Sequence, residues 1–267
     1  MSGGAPGALV GPPVRDALEA AVTALTAAGC STPRLDAEVL IADALGADRA
    51  VTGAQARLIG ERVRRRVARE PVAYILGRRG FRRIEVVVDS RVLIPRPETE
   101  LLVEVALELP PGSRVHDVGT GSGAVALALL DERPDLVVSA SDASPAAAEV
   151  ARANAARLGL PLEVSVGRAL PAGDFDLVLA NLPYVREDEW DGLAPEIRRY
   201  EPRDALVSGP DGLDAIRELC AAAPAGTRLA LEHAPGQAAE IRALLSDAHT
   251  RSDLAERERV TVGTAPA

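Results

Sequence analysis

Lysine is missing from this 267-residue chain: all 30 basic residues are arginine, which leaves no catalytic lysine. Cysteine is nearly missing too, with Cys30 and Cys220 far apart and forming no CxxC pair. The three histidines, His116, His233 and His249, show no metal-ligand spacing, so no metal is expected, and a reduced cytoplasm is the expected compartment. Aromatic residues make up only 2% of the chain, few for stacking on nucleic-acid bases. No stretch approaches the roughly 18 consecutive apolar residues of a membrane span. The opening "MSGGAPGALVGPP" lacks the basic start and apolar core of a signal peptide and reads as a flexible tail over residues 1–13.

What is present is apolar: 47% hydrophobic residues are enough to bury a large core. The net charge of −9 argues against a general nucleic-acid binder, which usually carries a basic footprint. The charge is uneven, however. Between Arg57 and Arg83 ten arginines meet only Glu61 and Glu70, a local net of +8. Such a run is either a solvated helix face and linker or a docking surface for an anionic partner.

Two regimes divide the chain. Over residues 14–73, "VRDALEAAVTALTAAG", "PRLDAEVLIADALG" and "AQARLIGERVRRRVARE" repeat apolar residues at three- and four-residue spacing, predicting a small helical domain ended by Pro71. Residues 74–97 then read as a β-hairpin linker, with strands "FRRIEVVVD" and "RVLIP" around a turn at Asp89-Ser90. Over residues 98–267 apolar strands and helices alternate. That pattern predicts an α/β fold, a mostly parallel sheet with helices on both faces. "GQAAEIRALLSDA" reads as its last helix and "RVTVGT" as its last strand.

Open sheets of this kind bind ligands at the carboxyl ends of their strands. Three strand ends are marked. The first is "DVGTGSGA", running from Asp117 through Gly119, Thr120, Gly121, Ser122 and Gly123. Glycines there allow a tight turn and a close ligand approach, while the next helix offers free N–H groups. The second is Asp142, about 20 residues further on, where an acid can accept hydrogen bonds from ribose hydroxyls. Ser144 before Pro145 suits the helix cap, which leaves Asp142 for a ligand. Glycine turn and acid together imply an adenosine-type cofactor.

The third strand end is "VLANLPYVRE". A planar amide or aniline-like NH2 is a poor nucleophile, because its lone pair is delocalised. The Asn181 side-chain oxygen and the Leu182 carbonyl could accept its two hydrogens and orient it. Pro183 would stiffen the corner and Tyr184 would offer a flat stacking face. The alternative is an ordinary strand-end turn. Upstream, "RPETE" contains Arg96 and Glu98. It reads either as a stiff helix entry, with Thr99 as cap, or as a lining of the crevice beside cofactor and substrate.

With these sites in place, the sequence resembles the HemK/PrmC family of S-adenosylmethionine-dependent protein glutamine methyltransferases from about Ala17 to Val262. Its markers are "VLIPRPETELLVE" preceded by "REPVAYILGRRGF", then "DVGTGSGAVALAL", "YEPRDALVSGPDGLD" and "LALEHAPGQ". The resemblance implies a class I, Rossmann-like domain with a mostly parallel seven-stranded sheet. It implies a helical domain that recognises the substrate, and S-adenosyl-L-methionine held by Asp117, Gly119–Gly123, Asp142 and Asn181. It further implies methylation of the glutamine in the Gly-Gly-Gln motif of a peptide chain release factor, with Asn181 to Tyr184 catalytic and Arg96 and Glu98 near the substrate. The expected protein is a cytoplasmic monomer without membrane or stable nucleic-acid binding.

Three positions depart from the family pattern: Leu182 replaces a proline, Arg168 an acid near the adenine, and "DLAERERV" lacks a glycine before the last strand. Three alternatives stay open. Adenine-N6 methylation of nucleic acid poses the same chemical problem. Another protein glutamine could be the acceptor. A diverged S-adenosylmethionine-binding protein would keep the cofactor without turnover.

Overall fold

The computed structural model describes residues 13–46 and 51–267. Apart from Pro13, the expected tail over residues 1–13 lies outside the described residues. The chain begins with α1 (Val14–Ala27), α2 (Pro33–Leu45), α3 (Gly53–Val67) and α4 (Val72–Leu76). It continues with β1 (Arg78–Phe81), β2 (Ile84–Val87), α5 (Glu100–Leu107), β3 (Arg114–Val118), α6 (Ala124–Glu132) and β4 (Val137–Asp142). Then come α7 (Pro145–Leu158), β5 (Glu163–Val166), β6 (Leu177–Ala180), α8 (Pro195–Tyr200) and α9 (Asp214–Ala222). The last elements are β7 (Arg228–Glu232), α10 (Ala238–Ala243), β8 (Ser246–Ser252) and β9 (Glu258–Thr264).

The chain folds as two compact units. One runs through Gly77 and recruits Pro195–Tyr200; the other comprises Arg78–Ala194 and Glu201–Ala267. In the helical unit the apolar stripes of α1, α2 and α3 bury Ala21, Leu25, Ala37, Ile41 and Ile59 together. Thr52 and Gln55 start α3 with a capping box, each side chain taking the other's backbone N–H. Helix α4 was not foreseen, because five residues after Pro71 are too few to show a period.

The basic stretch is largely paired rather than a continuous field of positive charge. Most of it is neutralised by acids elsewhere in sequence: Arg62 by Asp43 at 2.6 Å, Arg66 by Asp36 at 2.7 Å, Arg69 by Glu196 at 2.7 Å. Arg82 pairs with Glu132 at 2.5 Å. Among the described residues only Arg57, Arg64 and Arg79 of this stretch take no ion pair.

Glu196 of α8 serves both Arg66 and Arg69. Burial alone would raise its pKa, but hydrogen bonds from Arg69, the backbone and Arg66 outweigh burial and bring it down to about 2. A depressed acid adds stability above its unfolded value of 4.5 and loses it as pH falls toward 2. Acid unfolding between those limits should therefore be blunted in Glu196→Gln, whose melting point would be lower than wild type at pH 7. Melting curves across that range check this.

The hairpin is tighter than expected. Phe81 pairs with Ile84, so the turn is Arg82-Arg83 rather than Asp89-Ser90, and Arg82 adopts a positive φ of 47°. The pair belongs to the second unit: Asn154 of α7 accepts the Val87 N–H at 2.7 Å and donates to the Val87 carbonyl at 2.9 Å. "RVLIP" forms no strand. Pro95 lacks a donor, and the Ile94 N–H goes instead to the buried carboxylate of Glu201.

In the second unit a seven-stranded sheet runs β5-β4-β3-β6-β7-β9-β8. The first five strands are parallel; β9 runs antiparallel to β7, and β8 to β9. Strand β6 is buried at every position, which explains its unbroken apolar run. Burying each of Leu177, Leu179, Leu229 and Leu231 is worth roughly 1.5–3 kcal/mol. The final helix is shorter than its periodicity predicts, since Ser246 already belongs to β8. Exchange of direction at β3 is what matters for ligands. The chain builds β4 and β5 on one side of it and β6 and β7 on the other, so a crevice opens at their carboxyl ends.

The glycine missing before the last strand has a visible consequence. Glu256 sits there with φ of 60°, a left-handed conformation that glycine adopts freely. Glu256→Gly should raise stability by about 1 kcal/mol, read from a denaturant midpoint.

Candidate active site

Register brings the marked strand ends together. Val118 lies opposite Ser141 on one side and Ala180 on the other, and Ala180 lies opposite Leu231. Gly119 and Asn181, which follow β3 and β6, therefore meet Asp142 and Glu232, which end β4 and β7, at the carboxyl ends of the strands.

The glycine turn is shaped from inside. Asp117 is buried, and Thr120 donates to its carboxylate at 2.6 Å. Burial pushes its carboxyl up to about 7, against the lowering effect of that hydrogen bond. Thr120 and Ser122 are buried as well, so the side chains of Asp117, Thr120 and Ser122 shape the turn from within. Gly119, Gly121 and Gly123 all adopt positive φ, and two of them also spare a close contact. A Cβ on Gly119 would lie 2.9 Å from the Leu182 side chain, and one on Gly123 would lie 3.3 Å from the Ala151 Cβ of α7. A Cβ on Gly121 would project into open space.

Asp142 gives one carboxylate oxygen to the Gly121 N–H and the other to the Ser144 N–H, each at 2.8 Å. Ser144 caps α7 through the Ala147 N–H, as its sequence suggests. Asp142 thus braces the glycine turn, and each oxygen keeps a lone pair for a diol. An open glycine cradle beside a half-exposed carboxylate fits an adenosine-bearing cofactor. Arg168 is exposed beyond Gly167, whose N–H bonds the Asp142 carbonyl at 2.9 Å.

At the end of β6, Asn181 donates its Nδ2 to Thr99 Oγ1 at 3.0 Å. That contact leaves Oδ1 without a partner among the described residues, and the Leu182 carbonyl likewise accepts no hydrogen bond there. Two unspent acceptors thus belong to consecutive residues. The leucine in place of proline packs against the core cluster of β6, β7 and α9. Tyr184 is half-buried, and its hydroxyl approaches Glu232 at 3.4 Å. Burial and the adjacent Glu232 push the phenol well up, so it stays a donor.

Residues that sequence reasoning left as mere resemblance hold this corner. Gln237 donates to the Tyr184 carbonyl at 3.0 Å, and Gly212, at φ of 80°, lies so close to it that no Cβ fits. Val185 accepts the Ser208 N–H at 3.0 Å and gives its own to the Leu206 carbonyl at 2.8 Å. Arg96 is locked to the buried Glu201 at 2.5 Å, and Glu98 faces Arg257 at 3.4 Å and Arg259 at 3.5 Å. Thr99 is no helix cap: its φ and ψ are helical and it makes no capping bond. Its hydroxyl accepts from Asn181 Nδ2 instead. Glu232 was overlooked, although the strand-end rule applied to "LALEH" would have found it.

Comparison with known proteins agrees with this architecture. Residues 16–77 match the family model of the PrmC N-terminal domain, and residues 97–197 that of the methyltransferase small domain. A release factor glutamine methyltransferase of Xylella fastidiosa (strain Temecula1) is 43% identical, covering 92% of this chain and 98% of that protein. Proteins of the same name from Deinococcus radiodurans (39%, covering 92% and 96%) and Rhodospirillum rubrum (42%, covering 83% and 74%) are similar too. Among solved structures, the hMettl16 catalytic domain in complex with a MAT2A 3′UTR hairpin shares the fold. It gives a TM-score of 0.52 at 12% identity, over 66% of this chain and 73% of that one.

Proposed function

This chain belongs to the release factor glutamine methyltransferase family, and from that premise we propose that it methylates the glutamine of a release factor's Gly-Gly-Gln motif. The cofactor is S-adenosyl-L-methionine, which when bound supplies a methyl group on a positively charged sulfur. The observation that carries the reading is the pair of unspent acceptors, Asn181 Oδ1 and the Leu182 carbonyl, beside the glycine turn.

An NH2 group that donates to both is held with its nitrogen toward the crevice. The two acceptors add electron density as the amide loses its resonance. Pro183 restricts the corner, Tyr184 offers a flat face for the planar group, and Gln237 fixes the Tyr184 backbone. Water takes the proton released by the alkylated nitrogen, so positioning supplies most of the rate. Arg96 and Glu98, spent in ion pairs, support the crevice from the side and do not grip substrate. The cofactor is held by the backbone of Gly119 to Gly123 and by Asp142, with Asp117, Thr120 and Ser122 shaping that backbone. The protein works without stable nucleic-acid contact, a reading supported by the neutralised arginines.

Label from S-adenosylmethionine should enter the host's release factor and spare the same factor carrying Gln→Ala in its Gly-Gly-Gln motif. Label on added DNA instead would transfer the same acceptor chemistry to adenine. Cofactor binding without label anywhere would make the chain a binding protein.

A further inference from the structure

A leucine exposed on its own is ordinary on a protein surface. Leu254 differs in how it is mounted. It is fully exposed, more so than any other large apolar side chain among the described residues, and Ala255 beside it is exposed too. Both sit at the tip of the turn over residues 253–257 that joins β8 to β9.

One side chain holds that turn from inside. Asp253 accepts the Ala255 N–H at 2.9 Å and the Arg257 N–H at 3.0 Å with one carboxylate oxygen. Its other oxygen takes the guanidinium of Arg257 at 2.9 Å and that of Arg259 at 3.1 Å. The main chain closes the turn, the Asp253 N–H donating to the Arg257 carbonyl and the Glu256 N–H to the Asp253 carbonyl, each at 2.9 Å. Arg257 and Arg259 then reach Glu98 at 3.4 and 3.5 Å. The residue after Glu98 is Thr99, which accepts the Asn181 Nδ2. The apolar tip is thus tied to the acceptor site instead of being left to swing.

Topology sets the tip beside the route of a protein substrate. Strand β9 runs antiparallel to β7, and Glu232 at the carboxyl end of β7 lies opposite Val260 near the start of β9. The turn before β9 therefore projects from the same edge of the sheet as Asn181. With strands about 4.8 Å apart, the two steps from β6 through β7 to β9 amount to about 10 Å. A glutamine carried on a folded protein brings neighbouring surface over a rim that near, whereas a free amide would need no rim. Fixing a side chain before contact also lowers the entropy lost on binding.

We propose that the β8–β9 turn is a docking element for the protein that carries the acceptor glutamine, with Leu254 as the anchor that enters an apolar depression on it. The inference rests on the reading of Asn181 given above. It adds a contact that holds the substrate as a folded body, and it gives "DLAERERV" a task beyond closing a hairpin.

Leu254→Ser should raise KM for the release factor by about tenfold or more. Its kcat at saturation, its affinity for S-adenosylmethionine and its melting temperature should stay unchanged, because the side chain is fully exposed in the free enzyme. Leu254→Met should stay near wild type. Val137→Ser removes a side chain 58% exposed at the start of β4, on the opposite edge of the sheet, and should leave KM alone. A KM in Leu254→Ser within about twofold of wild type would overturn the proposal, as would an equal rise in Val137→Ser. Wild type that labels no release factor would overturn the reading of function and the docking role with it. A labelled factor with an unmoved KM in Leu254→Ser would overturn the docking role alone.

Discussion

Asn181→Ala should lower kcat for methyl transfer by about 10²–10³-fold and leave S-adenosylmethionine binding nearly intact. The side chain provides one of two acceptors for the substrate NH2, and the Leu182 carbonyl remains in the variant. Losing one of two preorganised groups at a site of developing charge costs about 2.7–4 kcal/mol of transition-state stabilisation. Stability should change little, because Asn181 is half-buried and its side chain makes one hydrogen bond among the described residues, to Thr99. Single-turnover transfer separates this from a binding defect, and titration calorimetry reads the cofactor directly. A variant that turns over like wild type would remove Asn181 from the mechanism.

The second large effect is expected far from any ligand atom. Gly212→Ala would drive a methyl group into the Tyr184 carbonyl and towards the Gln237 amide nitrogen, at a backbone φ of 80°. Neither can yield cheaply. The Tyr184 carbonyl belongs to the main chain, and Gln237 is held by bonds to Tyr184 and Asp211 carbonyls and to the Ala234 N–H. The left-handed conformation and the overlap should together cost about 2–4 kcal/mol of stability. Because the displaced atoms carry Tyr184, activity should be lost even below the melting temperature of the variant. Thermal melting and kcat measured on the same preparation check both halves.

The sequence was most legible where one physical rule acts alone. Alternation of apolar strands and helices suffices to predict a parallel sheet, and strand ends bearing glycine, aspartate or asparagine suffice to locate the crevice. Ser144 before Pro145 was readable as a cap because capping is local. What was not legible depends on partners distant in sequence. Thr99 looks like a cap until Asn181, 82 positions away, takes its lone pair. The arginines of residues 57–83 look like a basic surface until Asp36, Asp43, Glu132 and Glu196 fold against them. Asp142 reads as a ligand acceptor, but its second task, bracing the Gly121 N–H, shows only in the fold. The hairpin turn was misplaced because Asp-Ser is common turn chemistry, whereas Arg82-Arg83 is not. Alternation of Phe81, Ile84 and Val86 on the buried face decided the register instead.

The central claim is that two acceptors at the end of β6 hold a glutamine amide. Mass mapping of the release factor after incubation with methyl-deuterated S-adenosylmethionine tests it most directly. The account predicts one labelled methyl on the side-chain nitrogen of the Gly-Gly-Gln glutamine with wild type, and almost none with Asn181→Ala. A methyl found on any other residue of the factor, or equal labelling of that glutamine by both proteins, would contradict it.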